Sequence, residues 1–255
     1  MDWNIITSNP AQRVDLGKRT KPKPAYYDDE QVITMFAALE NEPFRYKAMV
    51  YFTIDTGMRS SEVTGVRWSD IDLEKGVVTV NQQRLYVSGY GTFESDPKTD
   101  HGFRTITLSE TVTEMLIEYK TKQAENMTKF GTAWNHNDFV FVHEDGTPLH
   151  PQRPYMWFTE FLERHELPKI TYHQLRHTNA SLLISAGVDI VTLSGRLGHF
   201  DKSFTFNTYI HMIKSKEAQA ANKMDMFYKK KSKVNENQAS TAELEALPLN
   251  NQLDE

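Results

Sequence analysis

The sequence predicts a mainly α-helical domain that carries a small antiparallel β-sheet. Apolar side chains recur with helical spacing in residues 44–56 and in several stretches after residue 109. The β-branched run Val77-Val78-Thr79-Val80 is typical of a strand, and residues 103–108 alternate like an antiparallel partner. Several helical patterns around one short pair of strands therefore indicate this fold class.

Three helical segments are predicted before the sheet. The first is expected to begin at Asp28 or Asp29, residue types that suit a helix N-terminus. Its expected core-facing positions are Val32, Ile33, Phe36 and Leu39. The second segment, 44–56, is apolar enough to be buried on most sides, and Gly57 should end it. Arg59 then opens a helical turn through residue 66, where free backbone amides attract phosphate.

The rest of the chain continues this pattern. Residues 95–102 are expected to form a polar turn with Lys98 at its tip. Further helices are predicted at 109–123, at 151–166, from 171 to a stop at Gly187, at 189–197 and at 212–228, with a short strand at 139–142.

Composition narrows the class of protein. The 255 residues are 39% hydrophobic and 25% charged, which is enough for one sizeable core. The chain has no cysteine, which excludes disulfides, thiol catalysis and cysteine-based zinc sites. Neither a membrane-length apolar run nor a signal-peptide pattern is present, so we expect a cytoplasmic protein with no membrane contact.

The net charge of −5 is unevenly distributed along the chain. Residues 171–233 hold ten basic against four acidic side chains, whereas residues 234–255 hold five acidic side chains and no basic one. The first of these segments is basic enough to contact phosphates. The second is predicted to be a polar tail without stable structure.

The basic segment contains the candidate chemistry. It combines His173 and Arg176 with His199 and Tyr209. A phenol, with a reference pKa near 10, needs a nearby base and a neutralised phosphate before it can attack at neutral pH. Arg176 offers a planar fork of donors for phosphate oxygens, and the histidines can move protons. The set suits phosphoryl transfer to a tyrosine.

Three motifs of this segment are similar to those of the tyrosine recombinases, the integrases of phages and mobile elements. They are His173-Gln174-Leu175-Arg176-His177, Leu197-Gly198-His199, and the run from Thr205 to Tyr209 followed by His211. Upstream, Thr56-Gly57-Met58-Arg59-Ser60-Ser61-Glu62 resembles the first arginine box of that family. Pro97-Lys98-Thr99 and Arg104-Thr105-Ile106 resemble its lysine-bearing hairpin. The resemblance covers roughly residues 25 to 215.

The resemblance implies the catalytic domain of a DNA breaking-rejoining enzyme, placed at residues 25–233. Residues 1–24 would then be the end of a preceding core-binding domain and a basic linker. Tyr209 would be the nucleophile that forms a 3′-phosphotyrosyl link, and Lys98 would protonate the leaving oxygen. The resemblance further makes Arg59, Arg176 and His199 the ligands of the scissile phosphate and His173 an acid or base toward the tyrosine. It implies neither a cofactor nor a metal ion.

The expected partners also follow from the resemblance. They are double-stranded DNA recombination sites, further protomers that form a tetramer on paired sites, and an accessory DNA-bending or excision factor. The setting would be the cytoplasm and nucleoid of a bacterium or of its phage. Integration or excision of a mobile element or prophage is the implied activity.

Two other functions remain open at this point. A type IB topoisomerase uses a similar tyrosine and arginine set, although Leu197-Gly198-His199 argues against it. A regulator could keep the fold and bind DNA without chemistry, although all six expected residue types are present. A zinc protease is disfavoured, because Gln174 stands after His173 where the HExxH motif requires a glutamate.

Each candidate residue also has an ordinary structural interpretation. Arg59 could form an ion pair with Glu62 or Asp55, and Lys98 could be an exposed turn residue. Tyr209 could be a core tyrosine, packed with Phe204 and Phe206. His177 is predicted to be a buried, hydrogen-bonded structural histidine.

Overall fold

The structure, a computed structural model, describes residues 25–97, 102–198, 206, 208 and 209. Seven α-helices lie within these residues. They are α1 (Asp29–Leu39), α2 (Phe44–Thr56), α3 (Ser60–Gly65), α4 (Glu110–Phe130), α5 (Arg153–Arg164), α6 (Gln174–Ser185) and α7 (Ile190–Leu197). The predicted mainly helical fold class is confirmed.

Five short strands form two antiparallel sheets. They are β1 (Ile71–Asp72), β2 (Val77–Val80), β3 (Gln83–Val87), β4 (Gly91–Ser95) and β5 (Arg104–Thr107). The first sheet has the order β1-β2-β5, with Val78 opposite Ile106, and the second is the hairpin of β3 and β4. The predicted pairing of 77–80 with 103–108 is therefore confirmed.

Local sequence signals set the ends of the helices. The side chain of Asp28 accepts a hydrogen bond from Gln31 N, and the side chain of Gln31 caps Asp28 N in return. Asp189 caps α7 in the same way through Val191 N and Thr192 N. Gly57 ends α2 with φ of 64°, a left-handed conformation that disfavours side chains with a Cβ atom.

Helix α2 lies in the centre of the main hydrophobic core. The five positions expected to be buried there, Met49, Val50, Phe52, Thr53 and Ile54, are all buried. A smaller second cluster of buried side chains joins α6, α7 and the segment that holds Tyr209. Its buried members are Ala180, Ile184, Leu193, Leu197 and Tyr209. This second cluster is the part of the core that contains a predicted site residue, Tyr209.

Several predictions about local structure are wrong. Residues 139–142 are buried but form isolated bridges, Arg67 to Phe139 and Val142 to Pro148, rather than a strand. Ile33 is 69% exposed, and Met35 occupies the core in its place. The hairpin of β3 and β4 was not predicted, and α4 extends to Phe130, seven residues beyond its expected end.

Other predictions lie outside the described residues. These are the linker at 1–24, the helix at 212–228 and the acidic tail at 234–255. Within the described part of the chain, none of the helices combines the length and apolar character that crossing a membrane requires.

Candidate active site

The first element of the site is the junction between α2 and α3, which carries Arg59. Arg59 is the N-cap residue of α3, and its backbone N–H donates to Glu62 Oε2 at 2.8 Å. Its guanidinium donates from Nη1 to Glu62 Oε1 at 2.7 Å and leaves the side chain 37% exposed. The ion pair with Glu62 considered from the sequence is therefore present. It holds Arg59 in place but leaves part of the guanidinium accessible.

Arg176 projects from α6 and is held between the ends of two other helices. Its Nη1 donates to Gly57 O at 2.8 Å and its Nη2 to Leu197 O at 2.6 Å. Both acceptors lie at helix C-termini, where backbone carbonyls lack partners and favour a cation. Burial, together with the charge of Arg59, lowers the pKa of Arg176 to about 9. The guanidinium is thus still charged at neutral pH and fixed in orientation.

The two arginines donate to the backbone carbonyls of two consecutive residues. Arg59 Nη2 donates to Gly198 O at 3.4 Å, and Arg176 Nη2 donates to Leu197 O. These acceptors are consecutive carbonyls at the end of α7, where Gly198 adopts φ of 66°. Two guanidinium groups on neighbouring carbonyls form a cationic cradle of the kind that binds the oxygens of one phosphate.

His173 stands beside this cradle. It is the N-cap residue of α6, so it lies just before the helix that was expected to include it. The residue is partly accessible at the surface, but its ring packs edge-on against that of His177, with 5.7 Å between centroids. Burial lowers its pKa, and the charges of Arg176 and Arg59 lower it further. A neutral imidazole next to a phosphate site can accept a proton at pH 7.

Tyr209 lies inside the second core cluster rather than on the surface. It is 1% exposed, and its hydroxyl lies 2.7 Å from Nδ1 of His177. Burial raises the pKa of Tyr209 to about 12, against an opposing effect of the charge on Arg176. The structural interpretation of Tyr209 is correct as to burial, but Phe206 is 44% exposed and is not among the buried residues of that cluster.

His177 was interpreted as a structural histidine, and the structure adds its hydrogen-bond partner. Burial, followed by the charges of His173 and Arg176, lowers the pKa of His177 to about 4. The imidazole is therefore neutral at pH 7, and its Nδ1 can accept the hydrogen of the Tyr209 hydroxyl. This contact spans 32 positions of sequence, so the motif gave no sign of it.

Four of the six predicted site residues are described, namely Arg59, His173, Arg176 and Tyr209. Lys98 and His199 lie outside the described residues, although Pro97 and Gly198 next to them are described. Within the described ranges, no group of three or more histidine and carboxylate side chains could hold a metal ion. The described site thus consists of arginines, the Glu62 carboxylate that binds Arg59, two imidazoles and one phenol.

Comparisons with known proteins identify the family of the chain. The model of the Phage integrase family matches residues 26–216, which is most of the chain. The chain is 28% identical to "Tyrosine recombinase XerC-like" of Caldanaerobacter subterraneus subsp. tengcongensis, over 88% of the chain and 58% of that protein. It is 30% identical to "Tyrosine recombinase XerD" of Halalkalibacterium halodurans, over 83% of the chain and 65% of that protein.

A solved structure supports the fold independently. The Tn1549 transposon integrase, solved in complex with transposon right-end DNA, superposes with a TM-score of 0.70 at 23% identity, over 85% of this chain and 73% of that one. The chain spans about three-fifths of the length of the first curated relatives, 58% and 60%. The match over residues 26–216, together with these relatives, means that the chain belongs to the phage integrase family of tyrosine recombinases.

Proposed function

We propose that this chain is the catalytic part of a site-specific DNA recombinase that integrates or excises a mobile element or prophage. The observation that carries the proposal is the convergence of Arg59 and Arg176 on the carbonyls of Leu197 and Gly198. This cradle lies next to position 199 and one residue from the histidine that holds the Tyr209 hydroxyl. The residue types and their placement match what transfer of a DNA phosphate to a tyrosine requires.

In the proposed reaction, Tyr209 Oη attacks the scissile phosphorus and the bond from phosphorus to the 5′-oxygen breaks. The phenol proton passes to an imidazole, with His173 as the acid or base toward the tyrosine. Lys98 donates a proton to the departing 5′-oxygen, and His199 hydrogen-bonds the phosphate. The roles of Lys98 and His199 rest on the motif resemblance alone. The products are a 3′-phosphotyrosyl link and a 5′-hydroxyl, and reversal on a second strand rejoins the DNA.

The two arginines would stabilise the transition state. Negative charge grows on the nonbridging oxygens during attack, and fixed donors stabilise it without reorganising. Arg176 is already oriented by Gly57 O and Leu197 O, and Arg59 by Glu62. This preorganisation supplies the charge that a metal ion would otherwise provide, so the reaction would need no cofactor.

The finer assignments belong to the same proposal. The partners would be double-stranded recombination sites and further protomers in a tetramer on paired sites, with an accessory DNA-bending or excision factor. The protein would act in the cytoplasm, on the nucleoid of a bacterium or on phage DNA. A similar integrase solved with transposon DNA supports the DNA partner, whereas the tetramer, the accessory factor and the nucleoid setting rest on the motif resemblance.

Tyr209→Phe tests the proposal, because it removes only the nucleophilic oxygen. Labelled nicked duplexes, tiled across the DNA that flanks the gene, are incubated with the chain and run on a denaturing gel. We expect a covalent band with the wild type and none with Tyr209→Phe, while mobility shifts show equal DNA binding. Tyr155→Phe, at a side chain 54% exposed on α5, is the matched control and should keep the band.

Other outcomes would identify a different function or nucleophile. A band that persists in Tyr209→Phe would move the nucleophile to another residue, for instance Tyr228. Binding without any band would favour the inactive regulator. Relaxation of a supercoiled plasmid without strand exchange would favour the topoisomerase.

A further inference from the structure

Arg104 is a buried arginine whose role the motifs do not assign. It begins β5, and its side chain is only 6% exposed. Its guanidinium donates hydrogen bonds to both carboxylate oxygens of Glu62, from Nη1 to Oε1 at 3.2 Å and from Nη2 to Oε2 at 2.8 Å. Such a two-point contact is the strongest geometry available to an arginine and a carboxylate. The Glu62 side chain, 3% exposed, is thus shared between Arg104 and Arg59.

The remaining donors of Arg104 join two other segments. Nε donates to Arg196 O at 2.8 Å, and Nη1 donates to Gly102 O at 3.0 Å. In the sequence, Gly102 lies four residues after Lys98, and Arg196 lies three residues before His199. One side chain therefore contacts residues that are close in sequence to Arg59, Lys98 and His199, three positions separated by up to 140 residues.

The charges of Glu62, Arg59 and Arg104 explain why Glu62 needs a second arginine partner besides Arg59. Burial raises the pKa of Glu62, but the hydrogen bonds and charge of Arg104, with the charge of Arg59, lower it below its usual value. Glu62 is therefore ionised. With Arg104 present, two cations share one anion, so this group of three keeps one net positive charge. Without Arg104, Glu62 would neutralise Arg59, and the phosphate would meet a site with one charge fewer.

We propose that Arg104 is a positioning residue of the active site. It takes up the charge of Glu62 so that Arg59 keeps its own for a phosphate, and it ties Gly102 and Arg196 to the carboxylate that holds Arg59. It does not itself touch the reacting atoms, because its side chain is buried and four of its five N–H donors are directed at protein acceptors. The assignment rests on the proposed strand-transfer function for its catalytic consequence, but not for its structural one.

The test compares Arg104→Met, Arg104→Lys, Glu62→Gln and the double variant Arg104→Met with Glu62→Gln. The matched control is Arg164→Met, because Arg164 also donates to both oxygens of a glutamate, Glu42, and is itself 46% exposed and not part of the candidate site. Single-turnover formation of the covalent band is measured on the nicked duplexes under saturating protein, with DNA affinity and melting temperature measured in parallel.

The expected rates separate a positioning role from a purely stabilising one. Arg104→Met should cleave about 100-fold more slowly with DNA affinity changed less than about threefold, as for loss of a preorganised charge. Arg104→Lys should lose only about tenfold, since it keeps the charge but not the fork. The double variant should recover about tenfold over Arg104→Met, because removal of the Glu62 charge frees Arg59 again. Arg164→Met should cleave like the wild type.

A wild-type rate in Arg104→Met, or a double variant no faster than Arg104→Met, would overturn the proposal. If Arg104→Met does not fold, Arg104→Lys decides, and a wild-type rate there overturns the proposal equally.

Hydrogen exchange provides a second test, which needs no DNA. Deuterium uptake should rise in all three segments, 59–65, 102–107 and 193–198, in Arg104→Met but not in Arg164→Met, and a rise in 102–107 alone would overturn the proposal. An absent covalent band in the wild type, together with the three-segment rise, would refute the proposed function and leave the positioning role standing.

Discussion

His177 and Tyr209 form a pair in which neither partner is ionised at neutral pH. The pKa of the imidazole lies near 4 and that of the phenol near 12, so the hydroxyl donates and Nδ1 accepts. The second ring nitrogen then carries the hydrogen of the histidine. Burial is the main cause of both shifts, so the fold makes the Tyr209 hydroxyl harder to deprotonate and the His177 imidazole harder to protonate.

The depressed pKa of His177 makes stability depend on pH. A folded pKa of about 4, against a reference value of 6.5, means that the unfolded chain binds the proton first as pH falls. The contribution of His177 is therefore fully present above about pH 6.5 and is lost progressively down to about pH 4. Thermal melts between pH 7.5 and 4.5 should show a smaller loss of melting temperature in His177→Asn than in the wild type.

His177→Asn is a suitable variant because its amide oxygen can still accept the hydrogen of Tyr209, while it cannot titrate. His136→Asn, at an exposed side chain, is the control and should follow the wild-type curve. Identical pH dependence in the wild type and His177→Asn would contradict the assigned protonation state.

The backbone carbonyls at the C-terminus of α2 accept hydrogen bonds from side chains of α6 and α7, two helices that are distant in the sequence. Asn179 of α6 donates to Ile54 O at 2.6 Å, and Arg196 of α7 donates to Asp55 O at 2.7 Å. Arg176 completes the set at Gly57 O. Carbonyls at a helix end carry partial negative charge, so two cations and an amide satisfy them. The helix that leads into Arg59 is thereby tied to both helices that flank the second cluster.

Gly57→Ala should disrupt this junction. The position has φ of 64°, and a Cβ atom would lie 2.6 Å from Asn179 Oδ1 and 2.8 Å from Leu197 Cδ2. Left-handed strain and overpacking together should lower the free energy of unfolding by about 2 to 4 kcal/mol, measured by urea denaturation.

The control for this substitution is Gly89→Ala, at the tip of the β3–β4 hairpin. Gly89 also has positive φ, 80°, but a Cβ atom added there would have no neighbour within 4 Å. It should lose only about 1 to 2 kcal/mol, the cost of the backbone conformation alone. Equal losses at the two positions would mean that the contacts with Asn179 and Leu197 do not constrain the junction.

The sequence predicted those elements whose signals are local. The Asp28 and Asp189 caps and the Gly57 stop act within a few residues, and the ends of α1, α2 and α7 were expected close to where they lie. The β3–β4 hairpin has no such signal, because none of its strand residues is fully buried and its backbone packs on α3. A Cβ atom on Gly65 would lie 3.0 Å from Arg84 N. Residues 139–142 are apolar because they are buried in the core, and this apolar run has the same appearance in the sequence as a buried strand.

The same distinction holds within the site. Arg59, Arg176 and Tyr209 were predicted because their residue types occur in motifs of recognisable order. For Arg104 the sequence predicts only a place in a hairpin, since its partner Glu62 is 42 positions away. Contacts over such separations depend on how the helices pack, and no local pattern in the sequence encodes them.

At the scale of the molecule, the net charge of −5 conceals a cationic site. Arg59, Arg104 and Arg176 surround a single carboxylate, Glu62, so the site is positive while the chain as a whole is negative. DNA binding should then depend on few phosphate contacts against a repulsive background. We expect weak binding that is strongly sensitive to salt.

Salt titrations of duplex binding measure this directly. Between about 50 and 200 mM NaCl the affinity should fall at least about tenfold, and Arg59→Met should reduce the slope of log affinity against log salt by about one. Arg164→Met, on the far ion pair with Glu42, should leave the slope unchanged. Tight binding at 200 mM NaCl, or a slope indifferent to Arg59, would show that the affinity comes from other contacts.

Tyr209 is 1% exposed, among Leu193, Leu197 and Ile184. Under the proposed function, the chain would meet a large excess of phosphodiesters that are chemically equivalent to its target. A Tyr209 hydroxyl that is buried among these aliphatic side chains and hydrogen-bonded to His177 would attack none of them before leaving the cluster. Discrimination between target and non-target DNA would then operate on the release of this one side chain, before any bond is broken.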